Sequence, residues 1–250
     1  MPISDVAQSL TEPLNKLLVP VTSSAGRTLQ DAWELVFGGF GNYVEKKREV
    51  RRKSLEDFKA SLEDKVAAIP QEQLCEPSLS IVGPALDASK YYFEEPELRE
   101  MFAKLITSSM DSQKASSVHP SFSEIIRQMS PLDAQNLTYF TARLPVVEYR
   151  LVTKEKEGFR LFLSHAFLAN PDEQDLNKQS VSLASLARLG LIDISYEQFL
   201  ADKTVYAAFE QTALYREVTA SLPEHMQLNI QTGIASPTPL GTQFIQVCLK

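Results

Sequence analysis

The side chains best suited to bind a metal or act as nucleophiles are three histidines, His119, His165 and His225, and two cysteines, Cys75 and Cys248. None of the histidines sits in HExxH and the cysteines form no CxxC, so neither a zinc spacing nor a disulfide framework can be read from them. His119 precedes a proline at an expected helix start, where a local hydrogen bond accounts for it better than proton transfer. The phosphate-cradling and nucleophile patterns GxxxxGK[ST], GxGxxG and GxSxG are missing. Gly38, Gly39 and Gly41 lie close together, but no strand precedes them and no lysine follows at P-loop spacing. Glu94, Glu95, Glu97 and Glu100 cluster where a helix begins and complement its positive end. The chain therefore reads as a non-enzyme, with no metal and no cofactor.

What remains is binding chemistry. Leu29, Ala32, Trp33, Val36, Phe37 and Phe40 recur every three or four residues and share one helix face. Soon after come Lys46, Lys47, Arg48, Arg51, Arg52 and Lys53, six basic residues in eight. An aromatic face beside a basic cluster suits an interfacial helix, with rings in the acyl boundary and cations on anionic headgroups. It equally suits a core-packing helix followed by a solvated one, and Glu45 and Glu49 dilute the patch. The candidate surface for an anionic membrane or a protein partner is thus Trp33, Val36, Phe37 and Phe40 with the six basic residues. A second candidate is the helix SVSLASLARLG, where Lys178 and Arg188 would meet nucleic acid. That helix is poor in the cations that make most phosphate contacts.

The elements that must position these residues are mostly helices. With 250 residues, 44% of them hydrophobic, the chain can build one large domain or two small ones. A net charge of -7 argues against a dedicated nucleic-acid binder. The first residues lack a basic and apolar leader pattern, and no apolar run approaches the ~20 residues that span a bilayer. The expected location is cytoplasmic, with peripheral attachment at the inner membrane as a variant.

Apolar spacing predicts helices around 4–18, 29–40, 43–68 and 94–110, with the third stopped by Ile69-Pro70. Short helical turns are expected in 70–89. His119-Pro120 opens another helix, and Ser130-Pro131-Leu132-Asp133 is a start signal for one running to Arg143. The runs VVEYRLV and GFRLFLSHAFL are ambiguous between strand and helix. A helix over 181–189 closes at Gly190. Strands at 191–196 and 227–235 flank a helical segment, and Thr238-Pro239-Leu240-Gly241 starts a last helix.

The fold class is mainly α with a small β component: an N-terminal helical region plus a C-terminal winged-helix-like module. The expected divisions are 1–69, 70–129 and 130–250, with an insertion near 198–222 in the wing. Such modules bind DNA or serve packing and protein contact.

SIVGPAL (Ser80–Leu86), ELREMFAKLITSSMD (Glu97–Asp111), VHPSFSEIIRQMSPLDA (Val118–Ala134), LARLGLI and TPLGTQFI together resemble the bacterial Abi-alpha family, named for abortive infection alpha. The resemblance spans most of the chain, more weakly before Ile69. It implies phage resistance, in which an infected cell stops growing or dies before the phage matures. The family has no catalytic motif to carry over, so the resemblance assigns no residue. It implies a non-enzymatic effector or sensor. Its partner would be a protein (itself, or a phage or host component) or an anionic membrane surface. A winged-helix DNA-binding regulator is the alternative.

Overall fold

A computed structural model of the chain describes residues 23–38, 49–153 and 156–250. The helix expected around 4–18 lies outside them, as do Phe40, Lys46, Lys47 and Arg48 and the side chain of Arg51. The chain divides into two compact units, Met1–Pro131 with Gln243–Lys250, and Leu132–Thr242.

The described part of the first unit is helical. Helix α1, Ser24–Phe37, starts earlier than expected, because the Ser23 hydroxyl accepts the Gly26 N–H at 3.1 Å and caps what reads as a loop. Helix α2, Glu49–Ala67, buries Leu55, Phe58, Leu62 and Val66. Where the sequence predicts only turns, Leu79–Ser89 forms helix α3 around Pro84. A proline inside a helix costs about 3 kcal/mol. Complete burial of Val82 and Leu86 offsets this, at about 1.5–3 kcal/mol for each side chain. Helix α4, Pro96–Ser108, buries the expected stripe of Leu98, Met101, Phe102, Leu105 and Ile106. Helix α5, Phe122–Arg127, follows a turn in which His119 Nδ1 accepts the Ser121 N–H at 3.2 Å, the local bond expected of it.

Helix α6, Pro131–Leu137, is shorter than predicted because turns and then strand β1, Leu144–Thr153, take up the chain. The two ambiguous runs are strands: β1 pairs antiparallel with β2, Lys156–Ala166. Helix α7, Leu176–Arg188, begins before the predicted 181, because the Asp175 carboxylate accepts the Asn177 N–H at 2.9 Å. It ends at Gly190, whose φ of 72° is open to glycine at little cost.

Strand β3, Ile192–Ser195, pairs antiparallel with β4, Met226–Pro237. That pair is one side of a larger antiparallel sheet of order β2-β1-β4-β3, in which β1 matches β4 from Leu144↔Ala235 to Thr153↔Met226. The segment between β3 and β4 carries helices α8, Ala207–Glu210, and α9, Ala213–Ser221. It caps one sheet face, burying Tyr206 and Phe209 with Val147, Tyr149, Leu151 and Leu228. Tyr149 donates its hydroxyl proton to Phe209 O at 2.7 Å.

Helix α10, Pro239–Cys248, takes the chain back to the first unit, where Phe244 meets Phe122 edge-on with ring centroids 5.1 Å apart. Among the described residues, no helix is long and apolar enough to cross a membrane.

Candidate functional site

The aromatic residues proposed for an interface are largely internal. Trp33 and Phe37 are each 2% exposed. The Trp33 ring stacks on Phe37 at 4.4 Å and on Phe58 of α2 at 6.1 Å. Of the two readings the sequence leaves open for this pair, their burial fits core packing: the stripe meets Phe58 of α2 within its own unit. Val36 is half-buried. Of the basic cluster, Arg52 lies 3.7 Å from Glu56 and Lys53 is exposed. In the second unit, Lys178 pairs with Glu173 at 3.1 Å and Arg188 is exposed at the end of α7.

The second unit assembles a different group. Between the pairs Tyr149↔Leu163 and Val147↔Ala166, β2 has one residue more than β1, which makes a bulge. His165 sits in it with a φ of 52°, a left-handed conformation uncommon outside glycine, asparagine and aspartate. The bulge turns the His165 backbone N–H onto the Tyr196 hydroxyl oxygen at 2.9 Å. The same hydroxyl lies 2.9 Å from His165 Nδ1, and the two rings stack 12° from parallel.

Tyr196 follows β3, and His165 belongs to the opposite edge strand. Their contact requires the sheet to curl. Gly233 on β4 makes room for this reach: a Cβ there would lie 2.5 Å from Tyr196 Cδ1.

From Tyr196 the polar chain continues. Gln231 Nε2 donates to Tyr196 O at 3.2 Å, and Gln231 Oε1 accepts from Arg150 at 3.0 Å. Arg150 also donates through Nε and Nη2 to one Glu148 oxygen, at 2.8 and 2.6 Å. Its guanidinium carbon sits 4.1 Å from the Phe159 ring centroid. Five groups thus link the bulge to the outer part of the β1–β2 hairpin. There Gly158 to Phe162 are all exposed, so neither face of this stretch is covered. Phe159, Leu161 and Phe162 are 55%, 48% and 41% exposed.

The chemistry is that of a latch. Burial lowers the His165 pKa against an opposing pull from Glu148. Burial likewise pushes the Tyr196 phenol far above its ordinary range. Burial thus favours the neutral form of both groups. Among the described residues no group of three or more His, Cys, Asp or Glu is placed to hold a metal ion. What the arrangement can do is hold Arg150 rigid against Phe159 and present a fixed apolar strand end.

Sequence reasoning missed these five residues. The alternation of Glu148, Tyr149 and Arg150 in VVEYRLV was the available signal for a strand with one polar face. Nothing in the spacing ties position 148 to 231, or 165 to 196.

The sequence profile for abortive infection alpha matches residues 50–248. The chain belongs to the abortive infection alpha family. No curated protein and no solved structure matches it. The abortive infection alpha match takes in the latch and the hairpin, whereas α1 with Trp33 and Phe37 precedes it. Membership suggests a part in abortive-infection phage defence and carries no information on catalysis.

Proposed function

We propose that this abortive infection alpha protein is a non-enzymatic effector or sensor that binds an extended segment of a partner protein along strand β2. The observation that carries the reading is the run Gly158–Phe162, exposed throughout and lying on a sheet edge. An edge strand offers unpaired N–H and C=O groups, and here Phe159, Leu161 and Phe162 leave apolar surface beside them, with Arg160 the charged side chain of the run. A partner strand would continue the ladder, with Phe159 and Leu161 supplying side-chain selectivity. The latch supports this use, because a surface already ordered loses less entropy on binding.

The membrane reading has less support, since Trp33 and Phe37 lie in the core. The DNA-regulator reading rests on Arg188 and on Lys178, which Glu173 already engages.

The test is phage plaquing and host survival on cells expressing the intact chain or the Phe159→Asp, Leu161→Asp double variant. Both positions are exposed, so the variant should fold and accumulate normally. Protection by the parent that disappears in an equally abundant, folded variant is the expected result. Full protection by the variant would sink the β2 reading. DNA binding with a steep salt dependence would then favour the regulator.

A further inference from the structure

The first unit contains a cleft of about 330 Å³, within the size range of small-molecule sites. We propose that it binds a small phosphorylated ligand, a phosphate monoester on an apolar or ring-bearing body. Four lysines, Lys65, Lys104, Lys114 and Lys250, line this cleft with one carboxylate, Asp111.

Two of the lysines have a structural explanation. Lys65 and Lys104 share Glu100, at 2.7 and 3.8 Å. Lys104 Nζ also donates to Leu249 O at 2.6 Å, just beyond α10, where a cation suits the negative end of the helix. Asp111 is occupied in a turn, its Oδ1 accepting the Gln113 N–H at 2.9 Å. Lys114 and Lys250 are not accounted for in this way. Neither forms an ion pair with a carboxylate among the described residues. Glu100 and Asp111 offset only part of the charge of the four ammonium groups, so the side chains of the cleft keep a net positive charge that suits a phosphate monoester.

The other walls narrow the chemistry further. Thr107 donates its hydroxyl proton to Ala103 O at 3.0 Å, and Ser108 donates to Val247 O at 3.0 Å. Both protons are committed, so an anion has to be held by the ammonium groups, which bind phosphate as point charges. Ile69, Pro70 and Val247 supply an apolar wall for the body of the ligand. A bare metal ion is excluded by the excess of cations. A nucleic-acid strand fits poorly on a chain of net charge -7.

The test is isothermal titration calorimetry of the full chain with adenosine, adenosine monophosphate and inorganic phosphate at low and moderate salt. The monophosphate should bind and adenosine should not, with affinity falling as salt rises. The monophosphate should bind more tightly than inorganic phosphate, and equal affinity for the two would overturn the apolar or ring-bearing body of the ligand. The Lys114→Gln, Lys250→Gln variant should lose about tenfold or more in affinity at unchanged thermal stability. Lys203→Gln, in the second unit, should lose none. No binding of either phosphate probe at low salt, or unchanged affinity in the double lysine variant, would overturn the proposal. The Phe159→Asp, Leu161→Asp variant should bind the monophosphate like the parent, which separates failure here from failure of the β2 reading.

Discussion

The aromatic face of α1 and the aromatic strand β2 use similar side chains to opposite ends. In the helical unit the Trp33 ring stacks on Phe37 and on Phe58, and all three side chains are buried. In the sheet unit Phe159 lies beneath the Arg150 guanidinium and stays 55% exposed. Residue type does not decide between these outcomes. Helix α1 can turn its stripe toward a neighbouring helix, whereas an edge strand has no neighbour on one side and, in Gly158–Phe162, no layer over either face.

The contrast can be broken most directly by truncation. Trp33→Ala should cost about 3–5 kcal/mol, as for other buried large aromatics. Phe159→Ala should change stability by no more than about 0.5–1 kcal/mol, as is usual for exposed positions. Denaturant unfolding of both variants measures the difference, and comparable losses would erase the distinction drawn here.

An intermediate effect is expected at Gly233. Alanine there would press on the Tyr196 ring and should cost about 1–3 kcal/mol, the range for overpacking. Loss of the His165–Tyr196 contact should appear in the aromatic NMR resonances. An unshifted Tyr196 spectrum would mean that the ring is not held over β4.

The smallest effect concerns pH. His165 binds protons less readily when folded than its ordinary pKa of 6.5 implies. Below that value the unfolded chain takes up more protons than the folded one, so stability falls as pH drops. Above it the His165 contribution is fully present. His165→Asn tolerates the left-handed backbone but does not titrate. Its stability should therefore decline less than the parent's between neutral pH and the acid side of 6.5. Parallel curves would remove His165 as the titrating group.

Much of the helical unit was legible because each stripe is local. Leu98, Met101, Phe102, Leu105 and Ile106 announce α4 by spacing alone, and all five are buried. Helix α3 was hidden by Pro84, a breaker by type that burial of Val82 and Leu86 overrides. Strands β1 and β2 were ambiguous because short apolar runs fit either period, and the pairing of β1 with β2 and with β4, some eighty residues later, decides the matter. The candidate site was less legible still. The helix-spaced aromatic stripe signalled amphipathicity correctly but not the identity of what it meets. The Glu148–Arg150–Gln231–Tyr196–His165 chain depends on a bulge and a curled sheet, which leave no periodic trace.

The route of the chain also bears on how the protein is made. The second unit is contiguous, 132–242, while the first is completed by 243–250. On the ribosome the sheet unit has its whole sequence before the helical one does, and Phe122 waits for Phe244 across more than a hundred residues of synthesis. Domains fold as their segments emerge. The earlier-translated half is therefore the later to be finished, and the lysine cleft, walled partly by Val247 and Lys250, is assembled only after the sheet unit has its whole sequence.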